Sequence, residues 1–187
     1  MHLRLESVQR TNIGNIRAAA PESTSNFNPL PTTELGALRY LAGALARRRD
    51  HEGDKYAAFD TDGYTRLVGG GDIAYSPHTD TLSIGYWVVR DRRRQGIGGL
   101  LIRAIELEAV ALFPDIETVQ AHIDPTNIPS LRLAETSGYH TNGEMLSHTL
   151  VYRKSTEAIL ATSALADAIP KQATHPTEVS FVPSSAS

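Results

Sequence analysis

Between Ser83 and Asp124 an apolar run, "SIGYWVV", gives way to the arginine- and glycine-rich segment "RDRRRQGIGG", a helix-like stretch, and the alternating run "IETVQAHID". A strand, a helix and a further strand in that order need a crossover connection, which sets the two strands parallel. In the helix, Leu100, Ala104, Leu107 and Ala111 share one stripe flanked by Leu101, Ile105 and Leu112, so Arg103 and Glu106 are expected to face away from it. Phe113 and Pro114 end it, and the following strand points Val119, Ala121 and Ile123 inward.

The connection itself carries a chemical signal. Four arginines fall among the five residues 90–94, and three glycines among the four residues 96–99. Glycine lets a main chain come close to a ligand, and a helix start carries partial positive charge, so the segment suits an anion held by backbone N–H groups. The glycines at 69–71 lie inside a strand-like run with no Lys-Ser/Thr pair after them, which suits a bulge or close packing rather than a phosphate loop.

The remaining strands read as antiparallel. His2–Leu5 is a short alternating strand, and Thr11–Ala20 a helix ended by Pro21. Pro21–Pro31 is turn-rich and reads as a loop. Thr32 or Thr33 caps a helix in which Leu35, Leu38, Leu41, Ala42 and Leu45 recur at helical spacing. Its last turn collects Arg47, Arg48 and Arg49, as the negative end of a helix dipole favours. Runs at Lys55–Phe59, Tyr64–Tyr75 and Thr81–Val89, joined by "DTDG" and "SPHTD", form a meander. Pro125–Tyr139 is a loop and short helix stopped by Gly138, and Met145–Arg153 is a last strand.

Bulk properties narrow the function classes. With 187 residues and 41% hydrophobic content, the chain supports one domain, expected over residues 1–154. The extension at 155–187 is rich in Ala, Ser, Thr and Pro, with little to bury, and is expected to be largely disordered. A net charge of -3, from 18 basic and 21 acidic residues, gives no long-range attraction to nucleic acid. The absence of cysteine removes disulfides, thiol nucleophiles and cysteine-ligated metals. No apolar stretch approaches the ~18 residues of a membrane span, and "MHLRLESVQR" lacks a signal-type core, so a soluble, cytoplasmic protein without membrane partners is expected.

This order of elements resembles the GNAT acetyltransferase superfamily. Arg93, Gly96 and Gly98 match its pattern Arg/Gln-x-x-Gly-x-Gly/Ala after an apolar strand and at a helix start. "DPTNIPSLRLAETSGY" matches the Asn-x-x-Ser…Gly-Phe/Tyr element of the branch containing the bacterial ribosomal-protein N-terminal acetyltransferases, and the likeness extends over Leu3 to Lys154. The resemblance implies an α/β (α+β) fold with a mixed, mostly antiparallel central sheet, splayed central strands and flanking helices. It implies acetyl-coenzyme A as acetyl donor and no metal. The N–H groups of Arg94, Gln95, Gly96, Ile97, Gly98 and Gly99 would ring the pyrophosphate, with Arg93 or Arg94 touching phosphate. Trp87, Val88 and Val89 would grip the pantetheine and acetyl oxygen through their main chain. A dinucleotide fingerprint does not fit, because its third glycine position is Leu101.

The same resemblance leaves the chemistry partly open. Many relatives carry a tyrosine, the acid for the leaving thiolate, seven residues beyond the Asn, where this chain has Ala134. Ser130 either donates a hydrogen bond to the sulfur or only starts a helix, and Asn127 either holds cofactor or orders its loop. Asp72, Asp80, His122, Glu144 and His148 are all candidate bases, with His122 expected at the surface. An α-amine, with pKa near 7.7–8, is roughly a tenth neutral at pH 7, so a site without an evident strong base suits it better than a lysine. The implied activity is N-acetylation of a protein or peptide α-amine. The alternatives are a small-molecule amine, which acidic groups lining the acceptor cleft would favour when it is a polyamine or aminoglycoside, and a catalytically weak acyl-coenzyme A binding module. Nothing in the sequence distinguishes monomer from homodimer.

Overall fold

The computed structural model describes residues 3–19, 30–61 and 66–168. Its elements are β1 (Leu3–Ser7), α1 (Ile13–Ala19), α2 (Glu34–Arg49), β2 (Gly53–Asp60), β3 (Arg66–Ser76), β4 (Thr81–Val88), α3 (Ile97–Leu112), β5 (Thr118–Ile123), α4 (Ile128–Thr136), β6 (Met145–Leu146), β7 (Thr149–Ser155) and α5 (Thr156–Ala168). The strands form one sheet in the order β1-β2-β3-β4-β5-β7-β6. Every neighbouring pair is antiparallel except β4 and β5, which are parallel as their crossover through α3 requires. Most of the expected loop at 21–31 lies outside the described residues.

The parallel pair is short. Leu82, Ser83 and Ile84 face Val119, Gln120 and Ala121, and there the pairing stops, although β4 runs on to Val88 and β5 to Ile123. Up to its end β4 stays paired with β3, and β5 with β7, so each follows its own neighbour and a wedge opens beyond Ile84 and Ala121. The implied splay of the central strands is present.

Alternation along β4 distributes its side chains to two apolar layers. Leu82 and Ile84 join Leu101 and Ile105 of α3, with Tyr86 and Val88 packed against them. Trp87 and Val89 join Ile16 of α1 and Leu41 and Ala44 of α2 on the opposite face. The glycines of β3 make this packing possible. A Cβ at Gly70 would stand 2.8 Å from the Trp87 ring, and one at Gly71 2.1 Å from Ile105 Cδ1. The register shift between Ala58 and Phe59 sits opposite Val68, next to these glycines.

Several packing details differ from the sequence expectation. On α2, capped by Thr33, the buried side chains are Ala37, Leu41 and Ala44, while Leu35, Leu38 and Leu45 are exposed. Two alanines beside one leucine let the helix lie close to the sheet, and this outweighs the larger leucine stripe. Its basic last turn is also tied down, Arg47 to Asp72 at 3.2 Å and Arg48 to Asp54 at 2.8 Å. On α3 the apolar face is turned so that Leu112 is exposed and Glu106 is only 1% exposed. Glu106 accepts a hydrogen bond from Lys154 Nζ of β7 at 2.9 Å, a partner 48 residues away. The expected last strand is a hairpin, turned through Ser147 and His148 with φ of 51° and 89°.

Beyond Ser155 the chain continues as α5, where the sequence suggested little to bury. Ile159 is fully buried in the main core, and Arg103 Nη1 donates to its carbonyl at 2.8 Å. Ending the chain after residue 168 is expected to leave the melting temperature essentially unchanged. Ending it at Lys154 removes Ile159 and should cost about 2–5 kcal/mol, as for other large buried aliphatic side chains. Thermal melting of the two truncations checks both statements.

Candidate active site

The turn between β4 and α3 is built by backbone conformation. After a 3₁₀ turn at Arg90–Arg92, Arg94 (φ 59°) and Gly96 (φ 80°) adopt left-handed angles, and Gly96 becomes the N-cap of α3. Gly99 and Leu100 N–H donate to Gly96 O at 3.1 and 3.4 Å, so the N–H groups at Ile97 and Gly98 head the helix without an intrahelical acceptor. The two motif glycines serve different ends. Gly96 has open space around a would-be Cβ and is needed for its angle, whereas a Cβ at Gly98 would meet Leu133 Cδ2 of α4 at 2.7 Å.

The arginines divide in the same way. Arg92 pairs with Asp60 at 2.5 Å, and Arg93 Nε donates to Val88 O at 3.1 Å, bracing the end of β4. Asp91 pairs with Arg66 and its carbonyl accepts from Gln95 Nε2 at 3.1 Å, while Arg94 is exposed on the rim. Together Arg92, Arg93, Arg94 and the glycines form one wall of a cavity of about 520 Å³ whose other wall is Asn127, Ser130 and Leu133 of the α4 region.

The main chain of β4 faces alternately toward β3 and into the wedge. Val89 N–H donates to Val68 O at 3.0 Å, so Val89, and by alternation Trp87, turn toward β3. Tyr86 and Val88 therefore present their main-chain groups to the wedge. Of Trp87, Val88 and Val89, only Val88 turns its main chain to the wedge, and Tyr86, which the sequence reading did not name, does the same. The period-two alternation was visible, but not which side the neighbouring strand would occupy.

On the α2 side of the sheet lies a second cavity of about 390 Å³, bordered by Tyr40, Asp72, Ser83, His122 and Asp124. Tyr86, Trp87, Asn127 and Ser130 line both cavities, so the two communicate through the gap between β4 and β5. Asn127 is the N-cap of α4, its Oδ1 accepting from Ser130 N–H at 3.3 Å, which leaves its amide NH₂ for other partners. Ala134 is buried at 1% exposure, on the core side of α4. The Tyr86 hydroxyl is buried beside Ser130 without a hydrogen bond of ordinary geometry. Burial raises its pKa and proximity to Ser130 partly opposes the rise.

The candidate bases separate by position. Asp80 accepts from the Tyr75 hydroxyl at 2.9 Å, Glu144 pairs with Arg153 at 2.7 Å, and His148 sits exposed in the hairpin turn, and none of the three lines either cavity. Asp72 borders the second cavity but is paired with Arg47. His122, expected at the surface, is half-buried in the cavity wall, because it alternates with the core residues Ala121 and Ile123 on a strand whose outer face α2 leaves uncovered here. Burial lowers its pKa below the ordinary histidine value, Arg153 lowers it further, and Glu144 opposes them.

The family described as acetyltransferase (GNAT) domain matches residues 2–140 of this chain. A Vibrio cholerae structure assigned as a ribosomal-protein-serine acetyltransferase superposes with TM-score 0.65 and 20% identity, covering 82% of this chain and 93% of that one. RimL, a ribosomal L7/L12 α-N-protein acetyltransferase in complex with coenzyme A, gives 0.67 and 17%, over 82% and 94% of the two chains. The spermidine N-acetyltransferase of Vibrio cholerae, with coenzyme A and spermine, gives 0.63 and 14%, over 84% and 98%. At such identities the likeness speaks to the fold alone. No curated protein matches the chain in sequence. Among the described residues no cluster of three or more His, Asp or Glu side chains could hold a metal ion, and no helix is long and apolar enough to cross a membrane.

Proposed function

Because the chain belongs to the GNAT acetyltransferase family, and so is an acetyl-coenzyme A dependent N-acetyltransferase, we propose that its acceptor is the α-amine at the N-terminus of a protein or peptide. The observation that carries this reading is the charge state of the second cavity. Of its two carboxylates, Asp72 is paired with Arg47 at 3.2 Å, while Asp124 accepts through Oδ1 from the Thr126 N–H and hydroxyl at 2.7 and 2.6 Å and keeps its charge, so the cavity offers a single uncompensated carboxylate. A polyamine carries several ammonium groups and would need unspent carboxylates along its length, whereas one neutral amine on a peptide does not.

In this reading the donor enters from the α3 face and the acceptor from the α2 face. Ile97 and Gly98 N–H, with Arg94, receive the pyrophosphate at the start of α3. Tyr86 and Val88 main chain lines the pantetheine, and the thioester lies at Ser130, whose hydroxyl faces the sulfur. The Asn127 amide steadies the same region. An intracellular acetyl donor favours a cytoplasmic enzyme.

His122 is the base on the acceptor side. Its lowered pKa keeps it neutral at pH 7, ready to take the proton that the amine loses as the C–N bond forms. The acid limb of kcat is therefore expected below the ordinary histidine pKa of about 6.5, with activity rising as pH rises through it. His122→Gln should lower kcat about 10²-fold or more and remove that limb. A kcat profile from pH 5 to 9 at saturating substrates reads both effects. The acceptor is tested by following thiol release with free and N-terminally blocked peptides, lysine side-chain amines and spermidine. Turnover confined to spermidine would replace the peptide reading with a small-amine one.

A further inference from the structure

We propose that Asp124 forms a subsite for a positively charged side chain, so that the acceptor peptide carries lysine or arginine as its first or second residue. The inference rests on the α-amine reading above and adds to it which N-termini are taken. Asp124 stands two residues beyond His122, and both border the cavity on the α2 side. Two residues of extended chain span about 7 Å. A reacting amine held at His122 therefore leaves the Asp124 carboxylate to another group, at a distance that the stem of a lysine or arginine side chain bridges.

Several observations make this carboxylate available. Asp124 is partly exposed, so a ligand reaches it without any rearrangement of the protein. Its Oδ1 accepts from the Thr126 N–H and hydroxyl at 2.7 and 2.6 Å, which fixes the side chain, while Oδ2 has no partner among the described residues. The Thr126 hydroxyl, and after it the N–H, hold the carboxyl below the usual Asp range, so it is charged wherever His122 is neutral. No lysine or arginine is among the residues lining the cavity. The other carboxylate, Asp72, is already balanced by Arg47 at 3.2 Å, and Lys55, over the Tyr40 ring at 4.4 Å, is 7% exposed and outside the lining.

One carboxylate matches one cation besides the reacting amine. A peptide with a single basic side chain supplies that cation, with its apolar stem against Leu30 and Tyr40 of the same cavity and its charged head at Asp124. An acidic residue in the same place meets repulsion instead, so the subsite selects by attraction and by exclusion together.

Peptides that differ only in arginine, citrulline or glutamate, placed at the first or at the second position, test the subsite. Citrulline keeps the shape of arginine without its charge, and none of the three brings a second amine to be acetylated. In kcat/KM by thiol release, arginine should exceed citrulline about fivefold at one of the two positions, the upper end for a solvent-accessible ion pair, and glutamate should fall below citrulline. The preference should shrink in 1 M salt, where the Debye length is about 3 Å. Asp124→Asn keeps an oxygen for Thr126 and removes only the charge, and it should bring the three peptides together. A parent enzyme that does not distinguish arginine from citrulline overturns the proposal, and so does a preference that survives in Asp124→Asn. An equal loss on all three peptides in the variant, with their ratios kept, would assign Asp124 to the loop alone and overturns it as well. Turnover confined to spermidine, with no peptide used, would instead overturn the α-amine reading on which the proposal rests.

Discussion

Gly98→Glu is expected to abolish acetyl-coenzyme A binding in a protein that still folds. A side chain at this position first meets Leu133 Cδ2, which a Cβ would approach to 2.7 Å. Leu133 is partly buried and belongs to a helix packed on the turn, so moving it should cost about 1–3 kcal/mol of stability. The larger effect is electrostatic. The carboxylate sits in the first turn of α3, where the unpaired N–H groups favour an anion, and it competes for them with the pyrophosphate while repelling it. A loss of at least 10²-fold in affinity, about 2.7 kcal/mol, is expected by calorimetry. Gly98→Ala brings the steric part without the charge and should retain most of the affinity. Unchanged binding by the glutamate variant would show that the anion lies elsewhere.

Lys154→Met should be the most destabilising single change among those considered. Glu106 is 1% exposed and Lys154 7%, and Lys154 Nζ also stands 5.6 Å from the centroid of the Tyr139 ring. Removing one partner of a buried pair leaves the other charge uncompensated, at a cost of about 3–5 kcal/mol. Arg103 lies 3.5 Å from the other oxygen of Glu106 and relieves part of the deficit, which points to the lower half of that range. Even so, it is a large fraction of the ~5–15 kcal/mol that holds a typical domain together. Replacing both members, with Glu106→Leu and Lys154→Met, should recover most of the loss, because an apolar pair of similar volume removes the desolvation penalty along with the attraction. Urea unfolding of the single and double variants, compared with the parent, measures the coupling. Equal losses in both would show that the pair is not an energetic unit.

Local signals survive into the structure because the forces behind them are local. Thr33 and Asn127 cap their helices through side-chain bonds three residues on, and Gly138 follows the end of α4 with a positive φ of 84°. The glycine turn behaves likewise, since the left-handed angle at Gly96 is a property of one residue. What failed in the reading of the helices was orientation. On α2 the leucines make the larger stripe, yet the helix is turned to bury Ala37 and Ala44, because closeness of approach to the sheet is set by the partner surface. Glu106 read as outward for want of a visible partner, and that partner lies on β7.

From the sequence alone came the strand, glycine turn, helix and strand, the parallel pair they imply, and the glycine-lined helix start at the head of α3, all consequences of periodicity and backbone preference over neighbouring residues. Only the tertiary structure decided that β4 and β5 part after Ile84 and Ala121, because that depends on each strand following a different neighbour. The parting joins the two cavities and brings Tyr86 beside Ser130, 44 positions later, with His122 across the gap. Such neighbours are set by the register and twist of the whole sheet, and no window of sequence contains both partners.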